Sequence, residues 1–297
     1  MRVLIPGANG QVGRELVACA ARHGVEPIPL TRTDLDLTDA EAVRSVVAAH
    51  RPDAVINAAA YTAVDRAETE HDLAFAVNRD GPAALASACA ELGIPLVHFS
   101  TDYVFDGTKQ EPYLEGDPAT PLGVYGQSKW AGEEAVREEH DRCLILRVSW
   151  VFSQHGGNFV KTMLRLGRER EALRVVADQH GGPTPAGAIA EAAYAALTQA
   201  LARDADWGTY HFCGAPFTTW HGFAEAIFAE ARAHEPLAVQ TVEAIPASAY
   251  PTPAARPANS RMDMARIART FGIAPADWRS ALADVVAAVH PASPTAS

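Results

Sequence analysis

Val3-Leu4-Ile5-Pro6-Gly7-Ala8-Asn9-Gly10-Gln11-Val12-Gly13 decides the fold of this chain. A short apolar run enters a glycine-spaced turn at Gly7, Gly10 and Gly13, and a helix is expected from 11 to 23. Strand, glycine loop and helix in that order open a βαβ unit that can seat a dinucleotide. Each glycine has its own task. Gly7 turns the chain at the strand end, Gly10 lets backbone amides approach a pyrophosphate, and Gly13 lets the helix pack closely. Amides at the helix start then face the anion, aided by the helix dipole. Glycines placed only for turning would look the same, so the elements that follow must carry the case.

They continue the alternation. Segments 25–30, 54–57, 96–100 and 144–151 read as strands, and 82–92 and 122–139 as helices. Thr38-Asp39-Ala40-Glu41 has capping-box spacing, with Thr38 as the cap of a helix to about His50. Short apolar runs divided by amphipathic helices imply an α/β fold of Rossmann type. It is a doubly wound parallel sheet whose ligands bind beyond the carboxyl ends of the strands. After residue 152 the pattern loosens. Helices are expected over 158–168, 186–203, 219–234 and 277–289, and a last sheet strand over 209–213. Residues 245–258 carry Pro246, Pro251, Pro253 and Pro257 and read as extended and irregular. The tail from Pro291 reads as frayed. The expected organisation is a dinucleotide-binding domain over 1–152, rejoined by about 186–213. A smaller α/β substrate-binding lobe would come from 153–185 and 214–297.

The second strand ends Pro29-Leu30-Thr31-Arg32. An acid there would hold a ribose 2′-hydroxyl; a hydroxyl and a guanidinium suit a 2′-phosphate, which favours NADPH over NADH. Asp36 and Leu37 follow at a distance that suits the adenine edge, although Asp36 also suits a turn. Ala58, Ala59 and Ala60 end the next strand with small side chains, which would let a flat cofactor cross the sheet edge or simply pack tightly. Ser100-Thr101-Asp102 closes a further strand and puts a hydroxyl at the crevice.

Tyr125 and Lys129 share one helix face. A free phenol has a pKa of about 10, and an adjacent ammonium would bring it down by roughly 1–3. Such a phenol exchanges protons, so Tyr125 could protonate an alkoxide formed by hydride addition. Thr101 would donate to the same oxygen, and Lys129 would also hold the nicotinamide ribose. A Tyr-x-x-x-Lys pair alone is commonly just a half-exposed helix pair; the glycine loop and the Thr101 strand end make it a site. His98 reads as a packed core residue, and His155 and His180 as loop residues near the crevice. No histidine or cysteine spacing marks a metal site.

Composition sets outer bounds. The 297 residues are 48% hydrophobic and 21% charged, an ordinary globular balance. The net charge of −11 repels a phosphate backbone, which argues against nucleic acid as a partner and for a small molecule. An anionic ligand needs local cations, for which Arg32, Arg256 and Arg261 stand out. Four scattered cysteines in apolar stretches imply free thiols in a reducing compartment. No apolar run is long enough for a membrane span, so the expected location is the cytoplasm.

These stretches resemble the extended short-chain dehydrogenase/reductase superfamily, and within it the dTDP-4-dehydrorhamnose reductase family. The resemblance rests on Gly10-Gln11-Val12-Gly13, 57–65 from Asn57 through Thr62 to Asp65, Ser100-Thr101-Asp102-Tyr103-Val104-Phe105 and Tyr125-Gly126-Gln127-Ser128-Lys129. Arg147-Val148-Ser149-Trp150, Gly157-Asn158-Phe159 and 250–260 extend it across almost the whole chain. It implies reduction of the 4-keto group of dTDP-4-dehydro-β-L-rhamnose to dTDP-β-L-rhamnose, for surface polysaccharide. It implies Thr101, Tyr125 and Lys129 as the catalytic set. To the cofactor contacts it adds Gln11, Val12 and Thr62; on the substrate side it places Asp102, Trp150, Asn158, Arg256 and Asn259 with Thr101. Some relatives are metal-bridged dimers. Here Glu15 matches one ligand, but Gly187 and about Ala288 stand at the others, which argues against a bridging magnesium and for a monomer or weak homodimer. Two rivals remain: another sugar-nucleotide reductase or epimerase, and a non-catalytic NADP-binding regulatory subunit. A dehydratase would want an acid after Asp102, where Tyr103 stands.

Overall fold

The structure, a computed structural model, describes residues 1–290. The expected frayed tail from Pro291 lies outside the described residues. Six parallel strands form the central sheet: β1 (Arg2–Pro6), β2 (Glu26–Leu30), β3 (Ala54–Asn57), β4 (Leu96–Thr101), β5 (Cys143–Val148) and β6 (Gly208–Phe212). Their order is β6-β5-β4-β3-β1-β2. The chain leaves β1 toward β2, then restarts on the other side with β3, so the switch point lies beside the glycine loop. β2 carries Pro27 and Pro29 and survives as a strand because it is an edge.

Helices cover both faces. α1 (Gln11–Cys19) lies on one, with α2 (Ala40–His50), α3 (Gly81–Leu92) and α4 (Val124–Glu139) on the other. Strand alternation divides the apolar side chains between them. Val3 and Ile5 pack with Leu16, Ile189 and Tyr194, whereas Leu4 packs with Val43, Val47 and Leu85. A third apolar cluster, with Phe152, Leu164, Phe223, Phe228 and Trp278, is built from later segments. The later helices are α5 (Phe159–Glu169), α6 (Ala186–Arg203), α7 (Trp220–Ala231), α8 (Ala265–Phe271) and α9 (Trp278–Val289); α5, α7 and α9 build this cluster, while α6 and α8 pack into the core on the α1 face.

Local departures have local reasons. Thr38 does not cap α2. Its hydroxyl donates to Asp36 Oδ1 at 2.8 Å, and the Asp39 carboxylate one residue later accepts from the Glu41 and Ala42 amides. The helix after the glycine loop ends at Cys19 and tightens into a 3₁₀ turn over Ala20–His23. α3 is preceded by helix from His71, joined through a π turn at Ala76–Asp80. Thr241–Ile245 pairs in parallel with Ala172–Val176, a strand pair the sequence reading lacked, as it lacked α8. All four cysteines are free and buried. No described helix is long and apolar enough to cross a membrane.

One buried ionic group joins the sheet to α4. Glu133 accepts from Ser100 Oγ of β4 at 2.5 Å and from Arg147 of β5 through Nε and Nη2, both at 2.8 Å. Arg147 is covered by Phe105 and Trp130. Removing one partner strands a desolvated charge, so Glu133→Gln is expected to cost roughly 3–5 kcal/mol, seen as a lowered midpoint in urea unfolding.

Candidate active site

The glycine loop closes against the end of β3. Gly7 has φ +79°, and a Cβ there would lie 2.4 Å from the Ala59 nitrogen, so only glycine fits. A Cβ on Gly13 would lie 2.2 Å from the Gly7 carbonyl oxygen, which makes the third glycine a contact with the loop itself. Gly10 caps α1 with no side-chain acceptor, and no acid stands in the first turn. The helix amides there are available to an anion. A cleft of 320 Å³ starts at this point and is lined by Gly7, Gly10, Arg32, Asp36, Leu37, Ala58, Ala59 and Ala60. Thus eight of the residues read as cofactor contacts do share one cavity. The donor-rich loop, small floor and guanidinium fit a dinucleotide phosphate.

Gln11, Val12 and Thr62 do not line it. Gln11 faces the other way: its Oε1 accepts from Ser153 Oγ at 3.0 Å and Asn158 Nδ2 at 2.9 Å. Tyr61, Arg66 and Glu70 line the cleft instead, and the Tyr61 hydroxyl donates to Glu70 at 2.7 Å. Tyr61 stood in the recognised 57–65 stretch; Arg66 and Glu70 had no signal beyond being charged. Asp36 bounds the cleft while its carboxylate accepts from the Thr38 amide and hydroxyl.

β4 ends in Thr101, and its neighbour Asp102 opens a 3₁₀ turn. The Thr101 hydroxyl donates to Asp102 Oδ1 at 3.0 Å, whereas the buried Asp102 Oδ2 has no protein partner. Burial pushes this carboxyl up to about 6, partly offset by Ser260 and Thr101. Tyr125 lies in the first turn of α4, edge-on to Tyr103 at 5.6 Å. The start of α4 is held by Glu68, whose carboxylate accepts the Val124 amide at 2.9 Å. The expected lowering of the Tyr125 pKa is not found. Burial raises the phenol to about 12, against a smaller pull from the Thr101 hydroxyl. The Lys129 nitrogen is turned instead to the Phe99 carbonyl, to which it donates at 2.6 Å. Its own burial brings it down to about 8.

The remaining substrate-side residues divide. Trp150 holds a left-handed backbone (φ +45°) and stacks on Trp220 at 3.6 Å between centroids. Gly181 is the floor of this stack, since a Cβ there would lie 2.5 Å from the Trp150 ring. Arg256 donates to Asp65 at 2.9 Å and keeps a buried Nη1 without a partner. Asn158 and Asn259 are engaged by the protein itself. Asn158 caps α5 and ties Gln11, while Asn259 Nδ2 donates to the Lys109 and Glu111 carbonyls and its Oδ1 accepts from Arg261. Arg261 is thereby engaged as well, so Arg256 is the arginine with capacity left.

His98 is buried as expected. His155 reaches Glu15 at 3.5 Å, and a Cβ on Gly187 would lie 3.5 Å from the same carboxylate; Glu15 and Gly187 line one cavity together with Asp277 and Asp284. Among the described residues one mixed group of potential ligands does come together: Cys19, His23 and Glu191. Glu191 is already held by Arg22 and by His23 at 2.6 Å, so the group is built as an ionic clasp between the first helix and α6.

The parallel sheet, the glycine turn and a Tyr125–Lys129 helix face beside the Thr101 strand end are those of the extended short-chain dehydrogenase/reductase class. Within it, the chain belongs to the family described as the RmlD substrate binding domain, which matches residues 1–290. It is 47% identical over 289 residues to dTDP-4-dehydrorhamnose reductase of Burkholderia thailandensis, covering 95% of this chain and 97% of that protein. Its structure is similar to that of dTDP-4-dehydrorhamnose reductase of Clostridium acetobutylicum, with a TM-score of 0.89, 36% identity and coverage of 97% and 99%. The Bacillus anthracis reductase, solved in complex with NADP, gives a TM-score of 0.87 at 38% identity, covering 96% of this chain and 98% of that one.

The Asp102 shift has a testable sign. Its folded-state value lies above the ordinary 3.8, so the burden on stability is absent at lower pH and grows as pH rises to about 6. Asp102→Asn should therefore raise the thermal midpoint at neutral pH and flatten the loss of stability across that interval, by melting curves at stepped pH.

Proposed function

We propose that this chain reduces the 4-keto group of dTDP-4-dehydro-β-L-rhamnose to dTDP-β-L-rhamnose, with NADPH as the preferred reductant and NADH as a weaker one. The observation that carries this reading is the meeting of Thr101, Tyr125 and Asp102 at the carboxyl end of β4, in a family whose similar members bear that name. The bound dihydronicotinamide supplies the hydride. The chain's residues handle the oxygen. Tyr125, held protonated by burial, gives its proton to the oxygen that gains charge. The Thr101 hydroxyl shares that oxygen, and Lys129 would hold the cofactor ribose when the cofactor is bound. Arg32, at the end of the cleft, suits the 2′-phosphate, and the spare Nη1 of Arg256 suits the nucleotide diphosphate.

The separate apolar cluster of α5, α7 and α9 supports assigning 153–185 and 214–297 to a substrate-binding lobe. The four free thiols support the cytoplasm as its location.

The decisive experiment offers the 4-keto sugar nucleotide with each reduced cofactor and follows nicotinamide absorbance; no oxidation of either cofactor would end this reading. Tyr125→Phe should lower kcat by roughly 10²–10⁴-fold while NADPH binding, followed by fluorescence titration, is kept. Arg32→Ala should raise KM for NADPH and leave KM for NADH nearly unchanged, which a two-cofactor kinetic comparison reads directly.

A further inference from the structure

The Lys129 nitrogen has a second buried neighbour. It lies 3.4 Å from Nε2 of His98, on β4. The other ring nitrogen of His98 faces Asn57 Nδ2 at 3.2 Å. Proton positions along this row follow from the backbone. Asn57 Oδ1 accepts the Ala59 amide at 3.0 Å, and a backbone N–H can only donate. The Asn57 amide is therefore oriented with its donor, Nδ2, toward His98. Nδ1 must accept, so the ring is neutral and carries its hydrogen on Nε2. That hydrogen meets the lysine nitrogen. An uncharged amine has a lone pair to receive it; an ammonium has none.

We propose that His98, locked by Asn57 as an Nε2–H donor, is a positioning residue that favours the uncharged amine of Lys129 over its ammonium. Glu133, one turn further along α4, works in the opposite direction. Arg147 of β5 and Arg137 are both engaged by Glu133. The packed π turn presents uncharged Asn78 to Ser128, while its Arg79 and Asp80 pair with each other at the surface. Burial acts with His98: it holds the imidazole well below its ordinary value and lowers the lysine too. Lys129 is then a group with an exchangeable proton rather than a fixed charge. The consequence for turnover rests on the reductase reading; the proton positions do not.

The chain contains three lysines, Lys109, Lys129 and Lys161, so its lysine Cε resonances can be followed singly. With ¹³Cε-lysine in the full chain, the Lys129 line is identified by its loss in Lys129→Arg. We expect it to titrate below the other two, and His98→Leu to raise its midpoint by about one pH unit, a tenfold gain in proton affinity. An unmoved midpoint overturns the proposal. Should His98→Leu not fold, ¹⁵N spectra of the wild-type histidines decide: a pyrrole-type Nε2 and pyridine-type Nδ1 at His98 are expected, and the reverse tautomer or a doubly protonated ring overturns it. Neither readout needs turnover, so a chain that shows this titration yet oxidises no cofactor would defeat the reductase reading alone.

Discussion

Glu133 is the constraint on which the site depends. A carboxylate with no solvent exposure would be prohibitive alone, and here it is surrounded by three donors: Ser100, Arg147 and Arg137. Those donors belong to two strands and one helix. Ser100 precedes Thr101, Arg147 lies three residues before Trp150, and Glu133 stands one turn after Lys129. The carboxylate therefore sets the axial position of α4 against the ends of β4 and β5. Tyr125, Thr101 and Trp150 inherit their separation from an ion cluster whose carboxylate is itself closed to solvent.

The glycine loop obeys a second constraint, steric rather than electrostatic. Gly7 and the backbone of Ala59 approach so closely that the loop after β1 and the end of β3 behave as one surface. Asn57 fixes the same corner, because its amide both turns the chain at Ala59 and reaches His98. The floor of the cleft and the buried row behind Lys129 thus meet at Asn57. Burial then does to the proton-carrying groups what a tool-less pairing would not: it keeps Tyr125 protonated and makes the lysine ammonium costly.

What could be read from the chain was whatever local chemistry decides. Three glycines, a strand entering them, and a tyrosine and lysine on one helix face are local patterns, and the structure keeps all of them. Eight cleft residues were legible because each follows the end of a strand or the loop. The partners of polar side chains were not. Gln11 and Asn158 meet each other across more than a hundred residues, and Asn259 donates to carbonyls of a distant loop, pairings that no local pattern announces. Whether Thr38 or Asp39 caps α2 turns on a single residue that either could satisfy. The pairing of Thr241–Ile245 with Ala172–Val176 left little trace because both strands are only five residues long and Thr241–Ile245 stays mostly exposed. The direction of the Tyr125 shift was missed for the same reason: spacing reveals a neighbour on a helix, but not which way its nitrogen turns.

Trp150 and Trp220 have one more consequence. Two indoles lying nearly parallel, 10° apart in plane and 3.6 Å between centres, share their excited states. One ring belongs to the chain just after β5 and the other to the start of α7. Near-ultraviolet circular dichroism and emission of this pair are thus a built-in optical gauge of how the later segments sit on the sheet, needing no attached label.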